Sequence, residues 1–231
     1  MRLLAVETSG THGGIALMED GRVLDEVLLA EGMRHARDLI AAIKEACDRA
    51  GWGRRTDVVA LSIGPGSFTG IRIAVTFAKF VAWDAGAKVV AVPSFRALAA
   101  NAPADRPRIA TIVDAKRGGL FASVFERREG RLDETFGPAV IEADDLARRL
   151  QPARLGEPPA YVLGRGIVKG RAALAGLELA PEDLWDIRPA EVARLGLEMA
   201  ARGEFADPLR LEPLYIRPPE AEELWLRRHP S

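Results

Sequence analysis

Residues 64–72 read Gly64-Pro65-Gly66-Ser67-Phe68-Thr69-Gly70-Ile71-Arg72. Upstream, Asp57 to Ile63 is a continuous apolar run of strand length, the pattern of a parallel strand buried on both faces. Downstream, Ile71 to Trp83 is apolar almost throughout, with Arg72, Thr76 and Lys79 the only polar residues before Asp84. Strand, glycine loop and helix in that order make the βα unit of an α/β protein. The order also suits a phosphate cradle. A P-loop, however, needs Lys and Ser/Thr directly after its last glycine, and here Ile71 and Arg72 follow Gly70. A dinucleotide fingerprint needs Gly-x-Gly-x-x-Gly, and Gly70 falls one residue late. A tight turn with Ser67 or Thr69 capping the helix is the simpler reading.

A helix that is apolar on nearly every side must be covered on more than one. A sheet covers one side. The other is covered either by the chain's own third helix and second lobe or by a partner, and pattern alone leaves both open. The preceding helix is conventional: Ala36, Leu39, Ile40, Ile43, Ala46, Cys47 and Ala50 recur at spacings of three and four up to Gly51. Before it come three strand-like runs, Leu3 to Glu7, Gly14 to Met18 and Arg22 to Leu29. Glu19-Asp20-Gly21 turns between the last two. Beyond the apolar helix, Lys88 to Val92 reads as a strand and Ser94 to Ala100 as a short helix.

Only Pro65 and Pro93 precede residue 103, whereas Asn101 to Pro107 is polar and proline-rich. We place a lobe boundary there, giving lobes 1–102 and 103–231. The second lobe again opens with strands, Arg108 to Val113 and Leu120 to Glu126, joined through Asp114-Ala115-Lys116-Arg117. A run from Arg131 to Ile141, a helix over 144–150, a strand at 161–163 before Gly164-Arg165-Gly166, and a helix over 189–202 follow. Similar openings suggest a duplicated α/β architecture.

The 231 residues carry 32 Lys and Arg against 33 Asp and Glu, a net charge of −1. That balance disfavours a protein that grips nucleic acid or an anionic membrane through its own field. Only five basic residues are Lys, a bias that base composition explains as well as phosphate recognition. Arg127-Arg128 and Arg227-Arg228 are too short to form a groove. No apolar run reaches the roughly 18 residues of a membrane span, and no signal-peptide core is visible. Cys47 is the single cysteine, so a reducing cytoplasm is the expected compartment. Histidine occurs three times, as His12, His35 and His229. A site built on several His or Cys ligands has little material.

The Gly64 to Arg72 string closely resembles the signature of the TsaB (YeaZ) family. Leu4-Ala5-Val6-Glu7-Thr8-Ser9, Met33-Arg34-His35 to Ile40, Asp114-Ala115-Lys116-Arg117 and Glu212-Pro213-Leu214-Tyr215-Ile216-Arg217 are similar to further family motifs, so the likeness spans nearly the whole chain. Glu7, where Asp is common, and Lys116, where Arg is usual, are mild departures. The resemblance implies the actin-like ATPase (ASKHA) fold of two ribonuclease-H-like lobes. It also implies a place in making threonylcarbamoyladenosine in tRNA, beside the anticodon. There the catalytic paralog TsaD transfers the threonylcarbamoyl group, a separate ATPase, TsaE, joins the complex, and tRNA is met indirectly. When alone, the chain is expected to self-pair as a two-fold dimer.

The paralog binds metal through two histidines four residues apart on a helix. By strand–helix order the matching positions here are Ser94 and Leu98, which are unsuited to a transition metal. No metal and no cofactor are therefore expected, and the chain reads as a non-catalytic subunit. Its expected contacts with the paralog are Leu39, Ile43, Cys47, Ile73, Phe77 and Phe80. Kinases of this fold contact phosphate and Mg²⁺ through an acidic residue and a hydroxyl-rich hairpin. Glu7, Thr8, Ser9 and Gly10, with Asp114, Gly164 and Gly166 opposite, are therefore candidates for a residual nucleotide site. Simple turns at these positions are the competing reading. An independent small-molecule kinase or a peptidase of the same fold is the alternative function.

Overall fold

A computed structural model of the chain describes residues 1–29, 35–53, 55–116, 119–152, 159–217 and 225. Met33, Arg34, Arg117, Arg227, Arg228 and His229 lie outside the described residues, as does the side chain of His35.

The first sheet comprises β1 (Arg2–Glu7), β2 (Gly14–Glu19), β3 (Arg22–Leu28), β4 (Val58–Ser62) and β5 (Lys88–Val92) in the order β3-β2-β1-β4-β5. The hairpin strands β1, β2 and β3 pair antiparallel, whereas β1, β4 and β5 run parallel. Helix α1 (His35–Arg49) connects β3 to β4 and α2 (Phe68–Ala85) connects β4 to β5. The second sheet repeats the plan. It contains β6 (Arg108–Asp114), β7 (Leu120–Arg128), β8 (Arg131–Ile141), β9 (Tyr161–Leu163) and β10 (Glu178–Leu179) in the order β10-β9-β6-β7-β8. Its pairings again run antiparallel, antiparallel, parallel, parallel from the hairpin outward. Numbered within each lobe, both sheets have the order 3-2-1-4-5. The duplication expected from the lobe openings is thus present strand for strand, and the architecture is the two-lobed actin-like ATPase fold.

Period-two alternation in the first sheet divides its residues between two cores. Leu4, Val6, Val59, Leu61 and Val89 face α1 and α2, with Leu39, Ile71, Ala74 and Ala78 completing that layer. Leu3, Ala5, Val58, Ala60, Val90 and Val92 face the other way. There they meet Val192 and Ala193 of α6 (Pro189–Ala201), and the same cluster takes in Phe95, Ala97 and Leu98 of α3 (Ser94–Ala100), which packs on α6 and on the strands β6, β7 and β8. This second cluster continues into the other lobe through Ile109, Ile112, Val162 and Leu163. A single apolar core therefore joins the lobes. The strands of the first sheet end at Val92 and those of the second begin at Arg108, yet helix α6 packs across β1, β2, β4 and β5 of the first.

This layering decides what covers α2. Gly70, Ile71, Ala74, Val75 and Ala78 are buried against the sheet. Helix α3 lies in the opposite core, so it covers none of the outer side, which carries Arg72, Thr76, Phe80 and Trp83. Ser67 caps the helix by accepting a hydrogen bond from Gly70 N at 3.2 Å. Gly86, at φ +68°, ends it in the left-handed conformation that favours glycine.

Helix α4 (Ala143–Leu150) follows β8, and two short elements have no clear sequence signal: the two-residue β10 and the single turn α5 (Ile167–Gly170). Both form because neighbours supply the pairing, β10 along β9 and α5 beneath β6.

Helix α6 approaches the sheet most closely at Gly196, where an added Cβ would lie 2.4 Å from Ala60 Cβ. At so close an approach overpacking costs toward the upper end of its range, about 2–3 kcal/mol, and outweighs the ~1 kcal/mol gain in helix propensity. Gly196→Ala is expected to lose about 1–2 kcal/mol in urea denaturation, despite being a helix-favouring change.

Candidate functional site

The parallel register of β1 and β4 pairs Val6 with Leu61, so Glu7 emerges beside Ser62. The turn after β1 and the glycine loop after β4 therefore meet at the same end of the sheet. The loops touch through backbone. Ser67 N donates to Ser9 O at 2.7 Å, and the Thr8 hydroxyl donates to Gly70 O at 2.7 Å. Two glycines permit this approach. A Cβ at Gly66 would lie 2.3 Å from Ser9 O, and one at Gly70 1.8 Å from Thr8 O. The glycine pattern tested as a phosphate cradle is thus explained by loop-on-loop packing.

Glu7 is fully buried at the centre of this contact. Its Oε1 accepts from Ser9 N at 2.5 Å, the Ser9 hydroxyl at 2.8 Å and Gly10 N at 2.9 Å. Its Oε2 is hydrogen-bonded to the Ser62 hydroxyl. The network extends outward: Ser94 Oγ donates to Ser9 Oγ and accepts from Gly64 N, each at 2.9 Å. Ser94 is thus engaged in holding the two loops, and Leu98 is buried in the apolar core. Burial pushes the Glu7 carboxyl above its ordinary range, and the surrounding donors offset that only in part.

The other candidate residues are held separately. Asp114 accepts from Lys169 Nζ at 3.0 Å and from Lys116 N at 2.8 Å. Partial burial pushes its carboxyl up, but these contacts prevail and hold it below the usual range. Gly164, at φ +115°, and Gly166 are buried against β6. Added Cβ atoms there would lie 2.2 Å from Ile112 O and 2.9 Å from Ile112 C. Their smallness serves the packing of the turn.

Between the lobes the structure assembles a cluster with no local sequence signal. Asp186 accepts from Arg165 Nε at 2.8 Å and Nη2 at 2.6 Å, while His12 Nδ1 lies 3.0 Å from its Oδ2. Asn101 Nδ2 donates to Asp186 O at 2.6 Å, tying the cluster to the end of α3. Burial raises the Asp186 carboxyl, but Arg165 and His12 outweigh it and hold it low. His12 and Asp186 are 174 residues apart, a separation that only the docking of the lobes closes. Among the described residues no group of three or more His, Cys, Asp or Glu is placed to hold a metal ion.

The expected contact residues divide by orientation. Leu39 and Cys47 turn inward and belong to the core between α1 and the sheet, so they present no contact surface. Ile43, Ile73 and Phe77 are partly buried, and Phe80 is 57% exposed. Ile40 and Trp83, 53% and 82% exposed, extend this face. The Phe80 and Trp83 rings lie 6.2 Å apart. Spacings of three and four mark an apolar stripe but do not say which part of it the sheet consumes.

Because the folded Glu7 carboxyl holds its proton more tightly than an unfolded one, its contribution is full below the ordinary glutamate value of 4.5. It fades as pH rises through the raised range. The stability advantage of the native chain over Glu7→Gln is expected to shrink as pH rises above the ordinary glutamate value of 4.5. Parallel urea denaturation series check this, and a constant difference would refute it.

A family model described as TsaD, tRNA N6-adenosine threonylcarbamoyltransferase, matches residues 30–184. The chain is 32% identical to the tRNA threonylcarbamoyladenosine biosynthesis protein TsaB of Bacillus subtilis, with 98% of each chain covered. It is 25% identical to the protein of that name from Escherichia coli, covering 94% of this chain and 95% of that one. A solved structure from Pseudomonas aeruginosa, described as an uncharacterized protein with similarity to peptidase YEAZ, superimposes with a TM-score of 0.80. That match has 25% identity and covers 94% of this chain and 99% of the other. Full-length agreement in sequence and fold leads to one conclusion: the chain belongs to the TsaB (YeaZ) family.

Proposed function

We propose that this chain is a non-catalytic assembly subunit in the synthesis of threonylcarbamoyladenosine in tRNA. In this reading it pairs with a TsaD-type catalytic paralog, which it activates or stabilises, while a TsaE-type ATPase joins the complex and tRNA is met through it. The relatives that match over their full length are named as biosynthesis proteins of this modification. The observation that carries the pairing is the outer face of α1 and α2. Ile40, Phe80 and Trp83 stand exposed there beside the partly buried Ile43, Ile73 and Phe77. Clustered exposed aromatics are characteristic of protein contact surfaces, where a few large side chains supply most of the binding energy.

A non-catalytic role is supported by the state of the candidate groups. Glu7 is enclosed, Asp114 is paired with Lys169, and Gly164 and Gly166 are pressed against β6. The same helical face favours a two-fold homodimer when the paralog is absent, since one patch can pair with its own copy.

Trp83 and Phe80 project away from the core, so Trp83→Asp and Phe80→Asp are expected to leave the fold intact. Each should weaken binding to the paralog by at least about 2 kcal/mol, roughly thirtyfold. Titration calorimetry checks this, and unchanged affinity in folded variants would remove the interface. Reconstitution with paralog and ATPase tests the function itself. Product is expected to fall sharply when this chain is omitted, and equal product would overturn the reading.

A further inference from the structure

The turn after β1 has the chemistry of a carboxyl-binding site. The consecutive N–H groups of Ser9 and Gly10 converge on one point, joined by the hydroxyl of Ser9 and, from β4, that of Ser62. Successive backbone amides aimed at a common centre form a concavity that takes an anionic oxygen. Here the centre is filled from within. Three donors meet at Glu7 Oε1 and the fourth group bonds Oε2, in a setting where Glu7, Thr8 and Ser62 are fully buried and Ser9 nearly so.

We propose that the Glu7 carboxyl is the resident ligand of a carboxyl-binding turn, and that removing it opens a site for a free carboxylate of acetate size. The atoms match. Glu7→Ala removes Cγ, Cδ and two oxygens, the heavy-atom complement of acetate, and leaves four donors converging on the vacated space. Burying such donors unpaired is costly, which gives a small carboxylate reason to bind. Phosphate is a poor substitute. The donors are arranged around the two oxygens of a planar carboxyl group, three at one and one at the other, a pattern that a tetrahedral ion does not reproduce.

The resident ligand also has a mechanical consequence. Glu7 holds Ser9, Ser9 O receives Ser67 N, and Ser67 caps α2. On the other side Ser9 Oγ receives Ser94 Oγ, which receives Gly64 N. The carboxyl therefore fixes the launch point of α2 from inside the lobe, independently of what α2 contacts outside.

Thermal unfolding of the full-length chain tests the proposal. Native protein, Glu7→Ala and Glu7→Gln are compared in sodium acetate, chloride and phosphate at matched ionic strength. Glu7→Ala is expected to melt below the native chain and to gain about 2–4 °C from saturating acetate over chloride. Acetate should also slow amide exchange at Ser9, Gly10 and Ser67 in that variant. Glu7→Gln, whose amide fills the space, should show neither response. Absence of an acetate-specific gain in Glu7→Ala, an equal gain in Glu7→Gln, or a larger gain from phosphate than from acetate would each overturn the proposal. If Glu7→Ala fails to fold in chloride, the readout is refolding yield. Recovery in acetate supports the site, and equal yields in both salts refute it.

Discussion

This chain is organised around one close contact between two loops, at positions where a Cβ on either Gly66 or Gly70 would collide with the facing backbone. The turn at 8–10 and the loop at 64–70 follow adjacent parallel strands, so both leave the sheet at the same end. Gly66 and Gly70 let the second loop lie directly on the carbonyls of Ser9 and Thr8. The hydrogen bonds that follow consume polar groups otherwise buried without partners, a far larger cost than the modest net gain of each bond. The start of α2, its cap at Ser67 and the position of Ser94 on α3 all depend on that contact.

The consequence for function lies in where α2 is held. One side of the helix is committed to the sheet through Ile71, Ala74 and Ala78, while α6 occupies the opposite face of that sheet and α3 packs on α6 and the second sheet. The layers are thus complete without the outer side of α2, and Phe80 and Trp83 remain in solvent. The lobes are not independent either. Helix α6 returns to the first sheet, and a continuous apolar core joins both lobes below the His12–Asp186–Arg165 cluster. Such a core makes lobe separation expensive, since each large buried side chain contributes on the order of 1.5–3 kcal/mol.

Much of this was legible in the chain of residues alone. Apolar runs and turn glycines located the long strands and helices, because strand and helix periods are local properties. Similar lobe openings anticipated a duplication that the pairing directions bear out. Other features were illegible for identifiable reasons. The two residues of β10 carry no period, and its strand exists because β9 offers an edge. Leu39 and Ile40 are neighbours in the same apolar pattern, yet one is buried and the other exposed, since helix rotation is set by docking.

By itself the sequence determined the α/β class, the capping of α2 by a hydroxyl, and the family likeness carried by Gly64 to Arg72. Each rests on local geometry or on contiguous residues. Only the tertiary structure decided that Glu7 is enclosed by its own turn, that α6 crosses back to the first sheet, and that His12 meets Asp186 across 174 residues. Those outcomes depend on which faces come together once apolar surface is buried, and no stretch of sequence contains that choice.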